Sequence, residues 1–260
     1  GRNSGSISIY RQRNNEAKER SITLQLTNQN RAEVRQNGWS IDDGVEAIFI
    51  PVKDMLANAP GFRSLFSQKK LSYEEVYLDI IDKAFIPIAR GKLSPEREML
   101  LNILNEAMSG RVIEKSETFY LKNKNGELEF PLLAEGFRKL GLLYRLIQNE
   151  SLTHGSMLFW DEPEANLNPR LSQTVVKILI ELSKMGVQIF ISTHDYVLLK
   201  EFQLAMTNQV NIMYHVLYRN DKGEIAHTAT EDLDELSPNA IDDTYSRILD
   251  DEIQIGLENL

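Results

Sequence analysis

The chain has 260 residues with 38 acidic and 29 basic side chains, a formal net charge of −9, and no cysteine. That length suits one large α/β domain or two small ones around a sizeable core, and 42% hydrophobic with 26% charged residues excludes a largely disordered or fibrous chain. The lack of cysteine excludes disulfide staples, zinc–thiolate sites and a thiol nucleophile, and it fits a reducing compartment.

The charge is unevenly spread. Residues 221–260 hold twelve acidic side chains against Lys222 and Arg247, a local charge of −10, which leaves residues 1–220 with 27 basic and 26 acidic groups, or +1. The first forty residues lean positive through Arg2, Arg11, Arg13, Lys18, Arg20, Arg31 and Arg35. The body is electrically balanced and carries an acidic tail, so the whole-chain charge says little about the body's partners. No run approaches the roughly 18 apolar residues of a membrane-spanning helix, and the opening GRNSGSISIYRQRNNE lacks the apolar middle of a secretory signal. A cytoplasmic protein with no membrane segment is expected.

In chain order, Ser6–Arg11 and Ser21–Thr27 alternate apolar and polar residues around a charged turn at Asn14–Glu19, the pattern of an antiparallel hairpin. Val45–Val52 reads as a buried strand ended by Pro51, followed by a loop near Asn58–Gly61. Apolar residues recur at helical spacing over Ser72–Arg90 and Ser94–Met108, and Ser94-Pro95-Glu96 has the form of an N-cap with proline at the first helical position. Arg111–Lys122 and Glu127–Pro131 flank Asn125-Gly126, a two-residue hairpin signal. Gly136–Gln148 and Arg170–Lys184 read as helices, the second stopped by Gly186; Ser156–Trp160 and Val187–Ser192 read as strands. Met206–Arg219 and Glu224–Thr228 suggest a further hairpin, and the acidic tail is expected to end in helices.

The strand–helix–strand from Met157 to Ser192 organises the rest. Two short apolar strands joined by one helix should be parallel neighbours, and functional groups in such sheets sit at the carboxyl ends of the strands. Those ends carry Asp161-Glu162 and Thr193-His194-Asp195. An acid at a strand tip can hold magnesium, directly or through water, and a second acid beside it can orient or deprotonate a water. Taken alone, the same pair also suits two surface acids capping a loop, and a lone strand-end histidine is usually structural. Gly136 at a helix start lets backbone N–H groups approach an anion favoured by the helix dipole, and it equally suits an ordinary helix N-terminus. Asn166 and Asn168 fit N-caps for the helix opened by Pro169-Arg170. His154, His215 and His227 have no partners by spacing.

Four features in order carry a resemblance. Met157-Leu158-Phe159-Trp160-Asp161-Glu162-Pro163 resembles the Walker B segment of ATP-binding-cassette (ABC) type ATPases, and Ala165-Asn166-Leu167-Asn168-Pro169 is similar to their D-loop. Thirty-two residues after Glu162 stands His194, in the place of the switch histidine, and twenty-five before Asp161 stands Gly136, in the place of the signature that begins a helix. The Asp161–Pro169 segment resembles the soluble branch: SMC-like and recombination ATPases, the overcoming-lysogenisation-defect group and predicted prokaryotic AAA-type ATPases. The resemblance implies an α/β P-loop fold with a parallel sheet core, an antiparallel β layer at residues 1–58, a helical subdomain at 59–110, a catalytic core at 111–219 and an acidic tail at 220–260. It implies ATP and Mg2+ as cofactors, Asp161 as the magnesium ligand, and Glu162 and His194 as catalytic groups. Gly136, Arg138, Asn166 and Asn168 would contact nucleotide across a homodimer interface. Ala134 departs from the usual serine of the signature, and Glu135 stands where a second glycine often lies; Arg138 would offset its charge or serve as a surface cation.

One part of such an ATPase is missing from these residues. No G-x-x-x-x-G-K-[ST] phosphate loop occurs; Arg90-Gly91-Lys92-Leu93-Ser94 lacks the first glycine and the hydroxyl residue, and Gly1–Ser6 lacks the lysine. The expectation is a domain whose N-terminal part is absent, working when intact as a nucleotide-driven dimerisation switch for an effector, in a defence or toxin system among others. The alternatives are a silent regulatory module and a DNA-repair ATPase, for which DNA is a partner.

Overall fold

The computed structural model describes residues 5–11, 20–27, 31–38, 44–88, 91–206 and 210–258. It divides into two units, Gly1–Val45 and Glu46–Leu260.

The first unit is a three-stranded antiparallel sheet of β1 (Gly5–Arg11), β2 (Arg20–Thr27) and β3 (Arg31–Asn37), in that order. The period-two pattern produces the expected hairpin, with Ile7 opposite Leu24 and Ile9 opposite Ile22. The turn expected at Asn14–Glu19 lies outside the described residues apart from its flanking strands. The third strand was not anticipated, because its sequence RAEVRQN is mostly charged and amide side chains. It is recruited by pairing along β2, with Val34 opposite Leu24.

The second unit runs β4 (Ala47–Ile50), α1 (Phe62–Ser67), α2 (Glu75–Phe85), α3 (Pro95–Met108), β5 (Arg111–Lys115), β6 (Thr118–Asn123), β7 (Gly126–Glu129), α4 (Glu135–Gln148), β8 (Met157–Asp161), α5 (Ser172–Lys184), β9 (Gln188–Ser192), α6 (Tyr196–Ala205), β10 (Tyr214–Arg219), β11 (Ile225–Thr230) and α7 (Ala240–Glu258). Strands β4, β8 and β9 form a parallel sheet in that order. The β layer expected over residues 1–58 therefore ends before β4. Ile48 and Ile50 alternate with Phe49 and sink into the same core as Leu158 and Trp160 of β8.

The two faces of this sheet differ. Ile48, Ile50, Leu158 and Trp160 are buried, in one core with residues of α2 to α5. The opposite face carries Phe49, Phe159 and Phe190 in one register row across the three strands. Phe159 and Phe190 stack 4.7 Å apart, while Phe49 and Phe190 remain 40% and 43% exposed.

Sequence punctuation sets the other boundaries. Ser94 caps α3 by accepting from the Arg97 amide, with Pro95 at the first helical position, as expected. The single strand expected over Arg111–Lys122 is two, β5 and β6, because Ser116 and Glu117 turn through positive φ (50° and 61°) and Glu117 N–H donates to the Glu114 carboxylate at 3.0 Å. The meander closes with β7 at the Asn125-Gly126 turn. Helix α6 was not anticipated; Asp195 caps it, its Oδ1 accepting from the Leu198 amide at 2.6 Å. Strand β10 begins at Tyr214, later than the Met206 start expected of that hairpin.

Helix α4 is the centre of the unit, with every residue from Lys139 to Ile147 buried. Polar side chains stitch the helix ends around it, adding donors to carbonyls of the last turns. Arg145 donates to the Ala84 carbonyl at the end of α2 at 3.1–3.2 Å, Asn149 donates to the Lys83 carbonyl at 2.7 Å, and Arg97 of α3 donates to the Ile147 carbonyl at 2.9 Å. Gly141 lets the fully buried Phe130 lie against the helix: a Cβ there would stand 2.5 Å from the ring. Phe130 is itself packed on Phe119, 5.8 Å between centroids, and has no room to retreat. Gly141→Ala should therefore lower stability by about 1–3 kcal/mol through overpacking, read as a shifted urea midpoint at unchanged slope.

Candidate functional site

The carboxyl ends of β8 and β9 bring three of the sequence-predicted residues together. Asp161 ends β8 opposite Ser192 of β9, and the Ser192 hydroxyl donates to Asp161 Oδ1. The ladder continues one step, with Glu162 N–H donating to the Ser192 carbonyl at 2.9 Å. Glu162 then adopts φ of +44°, a conformation that non-glycine residues enter at a cost on the order of 1–3 kcal/mol. The turn directs its carboxylate to His194, with Oε1 lying 3.3 Å from Nδ1; His194 itself is 74% exposed.

Glu164 locks the two strand ends from below. Its Oε1 accepts from the Thr193 hydroxyl at 2.6 Å and from the His194 amide at 3.3 Å, while its Oε2 is buried without a hydrogen-bond partner. The Thr193 hydroxyl in turn accepts from the Asp195 amide at 3.0 Å. The 193–195 segment is thus fixed by three hydrogen bonds that leave the imidazole facing out.

The loop from Glu162 to Asn168 packs on the start of α4. A Cβ at Gly136 would come 3.0 Å from the Asn166 carbonyl oxygen and 3.2 Å from Leu167 Cα. Glycine at this position suits the tight approach of the loop of its own chain, a reason additional to any close approach of an anion. Asn166, at φ of +60°, donates from Nδ2 to Glu135 Oε2 at 2.9 Å. Glu135 is therefore occupied at the helix start, and Ala134 supplies no side-chain cap there. Asn168 acts as the expected N-cap, accepting from the Arg170 amide at 3.0 Å ahead of α5.

Arg138 does not point to this group. Its Nε lies 3.0 Å from Asp54 Oδ2, a charge contact rather than an aligned hydrogen bond. Burial pushes the Asp54 carboxyl up, opposed by the amides of Leu56 and Ala57 and by the guanidinium. Arg138 is thereby a structural counter-ion, not the exposed helix cation that its position in the sequence suggests.

Lys139 is a buried cation at the candidate site that sequence reasoning passed over. It is 2% exposed, and its Nζ donates to the carbonyls of Glu162 at 3.1 Å and Ala165 at 2.7 Å. Burial lowers its pKa, and Glu135, Glu164, Glu162 and Asp54 act together in the opposite direction. The signal was present: three residues after Gly136 and four before Leu143, Lys139 falls on the apolar face of its own helix, where a cation needs a partner.

As a site for a group not carried by the chain, the cluster suits one half of a metal–nucleotide complex. Asp161 and the Ser192 hydroxyl are oxygen donors of the kind magnesium takes one or two of, keeping waters and phosphate for the rest. Among the described residues no three His, Asp or Glu side chains gather as a metal cage. These residues offer no cradle for a triphosphate, since no G-x-x-x-x-G-K-[ST] occurs in the chain. Away from the site, His215 and His227 are partners after all, Nδ1 to Nε2 at 2.9 Å across the β10–β11 hairpin, which sequence spacing did not show.

Comparison with known proteins bears on the family and the fold. The family whose sequence model matches residues 7–200 is described as "AAA domain, putative AbiEii toxin, Type IV TA system". A "Putative ABC transporter ATP-binding protein" of Methanosarcina acetivorans is 31% identical over 160 residues, 60% of this chain and 52% of that protein. The chain thus spans about half the length of this curated relative. In fold the chain is similar to an SMC head bound to the C-winged helix domain of ScpA, at TM-score 0.55 and 14% identity over 87% of this chain and 74% of that one. It is also similar to an SMC head domain with an extended coiled coil bound to the C-terminal domain of ScpA derived from Pyrococcus furiosus, at TM-score 0.50 and 12% identity over 87% and 77%. The fold resembles that of SMC head domains, and the chain belongs to the AAA-domain family whose model it matches.

Proposed function

We propose that this chain is the catalytic-acid half of an ATP-hydrolysing unit, which uses nucleotide to drive a dimerisation switch for a partner effector. The observation that carries the reading is the convergence of Asp161, Glu162 and His194 at two parallel strand ends, with the Asn166–Leu167 loop packed on Gly136. Magnesium-bound ATP, when present, supplies the phosphoryl group and the charge that Asp161 is placed to hold. Glu162 is the group that accepts a proton from water, and His194 orients its carboxylate at 3.3 Å. Lys139 ties the Glu162 and Ala165 carbonyls to α4, so that the start of this helix and the acid move as one body. Catalysis by such a set is positioning and charge stabilisation. The family's description, naming an AbiEii toxin of a type IV toxin–antitoxin system, supports a toxin–antitoxin setting for the switch.

The open phenylalanine row supports a further part of this reading. Parallel sheets are covered on both faces, and here one face leaves Phe49 and Phe190 exposed. The occupant we assign to it is the helix that follows a G-x-x-x-x-G-K-[ST] loop, supplied by polypeptide outside these 260 residues. A silent regulatory module is the second reading, favoured by Glu135, which a triphosphate would meet as a like charge and which is already bonded to Asn166.

The 260-residue chain should bind ATP only weakly; micromolar affinity in a titration would refute the assignment of the missing cradle. Joined to a segment bearing that loop, the protein should hydrolyse ATP. There Glu162→Gln should reduce turnover by a factor of about 10² or more and prolong the ATP-bound dimer in size-exclusion chromatography. Unchanged turnover would remove Glu162 from its role, and turnover absent from the parent as well would favour the silent module.

Lys139→Met in the same protein should lower kcat at least about tenfold with little change in nucleotide affinity, and Lys139→Arg should restore part of it. Lys139 also sets a pH dependence. Burial depresses its folded pKa below the ordinary lysine value of 10.5, so the unfolded chain binds more protons between the two values and stability rises with pH across that alkaline window. Comparing Tm against pH for the parent and Lys139→Met isolates that slope, which the variant should lack.

A further inference from the structure

We infer that the C-terminal half of α7 is a docking surface for a basic amphipathic helix of a partner protein. Helix α7 runs for nineteen residues, Ala240–Glu258. Its first turns are anchored on α6: Tyr245 stacks on Tyr196 at 4.0 Å between centroids, and Asp242 lies 3.9 Å from Lys200. Beyond that anchor, Leu249, Ile253 and Leu257 recur every four residues on one stripe. They are 54%, 61% and 67% exposed, so exposure increases away from the anchor. Three aliphatic side chains at i, i+4 and i+8 are the spacing by which one helix reads another.

Charge selects the occupant. Residues 240–258 hold Asp242, Asp243, Asp250, Asp251, Glu252 and Glu258 against Arg247 alone, a net −5. Arg247 is committed to Asp251 at 2.8 Å. Asp250 and Glu252, which border the stripe on its two sides, form no ion pair among the described residues. A second copy of the helix would bring the same carboxylates together along the seam, and nucleic acid and anionic lipid would be repelled in the same way. A helix whose apolar stripe is bordered by Lys and Arg covers the aliphatic row and neutralises its edges at once, the arrangement that sets partner choice in helix pairs. The surface spans about three helical turns, which places it among small, reversible interfaces. It makes no use of the nucleotide site, so its test needs no ATP and does not depend on the ATPase reading.

The test uses the whole 260-residue chain and two designed fluorescent helical peptides with the same Leu stripe, one bordered by Lys and the other by Glu, followed by anisotropy. The Lys peptide should bind with micromolar Kd, at least about tenfold tighter than the Glu peptide, and should weaken as ionic strength rises. Leu249→Ser with Ile253→Ser should abolish binding; both side chains are exposed, and an unchanged circular dichroism spectrum verifies the fold. Asp250→Lys with Glu252→Lys should reverse the preference towards the Glu peptide, which separates docking on the stripe from general attraction to an acidic tail. Equal binding of the two peptides, or binding that survives the serine variant, would overturn the inference. So would sedimentation of the parent chain as a dimer that the serine variant dissolves, since a second copy would then be the occupant.

Discussion

Helix α4 can be buried on nearly all sides only because each polar group it brings inward meets a partner, and the placement of the site depends on that constraint. A lysine without partners in such a position would be driven to lose its charge or leave the core. Lys139 stays because the turn after β8 presents two carbonyls to its Nζ. The same turn closes on Gly136, where a Cβ would press on backbone atoms of Asn166 and Leu167 at 3.0 and 3.2 Å. One helix thus fixes the height of the 162–168 loop by a hydrogen-bonded cation and its lateral position by the absence of a side chain.

The loop in turn stores its strain where chemistry is expected. Glu162 at positive φ is held between the Ser192 carbonyl, which accepts from its amide, and Lys139, which binds its carbonyl. Both backbone groups of the strained residue are satisfied, so its side chain is left as the free variable. That side chain meets His194, whose own backbone is fixed by Glu164. Coupling runs from the start of α4 to the acid and on to the histidine through direct contacts, without a flexible link. Any change that lifts the 162–167 loop from Gly136 would alter the Glu162–His194 approach, which is the behaviour required of a switch.

Much of this was legible in the sequence where one residue type serves one local rule. Ser94-Pro95, Asn125-Gly126, Asn168 and Gly186 punctuate the chain as their chemistry demands, and the β8–α5–β9 unit follows from apolar runs of strand and helix length. The site residues at the two strand ends were legible for the same reason, since topology puts adjacent parallel strands in register. What was not legible depends on contacts distant in sequence. Strand β3 has no apolar pattern of its own and exists through its neighbour; α6 has an apolar run cut short by its charged residues. Arg138 reads as a helix cation until Asp54, more than eighty residues upstream, is placed beside it. The histidine pair required the register of β10 against β11, which no spacing rule supplies.

The two faces of the parallel sheet make the last step. A strand buried on both faces needs apolar residues at successive positions, and Ala47–Ile50, Met157–Trp160 and Ile189–Ile191 supply them on both sides. Ile48, Ile50, Leu158 and Trp160 fill one core, and Phe49, Phe159 and Phe190 stand ready for another. A large apolar side chain is worth roughly 1.5–3 kcal/mol when fully buried, so a row of three is a substantial reserve that the present fold uses only in part. Nothing in β-sheet formation requires phenylalanine at all three positions of one register row. A polar residue would pair as well and leave no hydrophobic surface, so the composition of this row is that of an interior. The row lies on the same face as Asp161, so the apolar surface that accords with the proposed second layer adjoins the Asp161–His194 cluster.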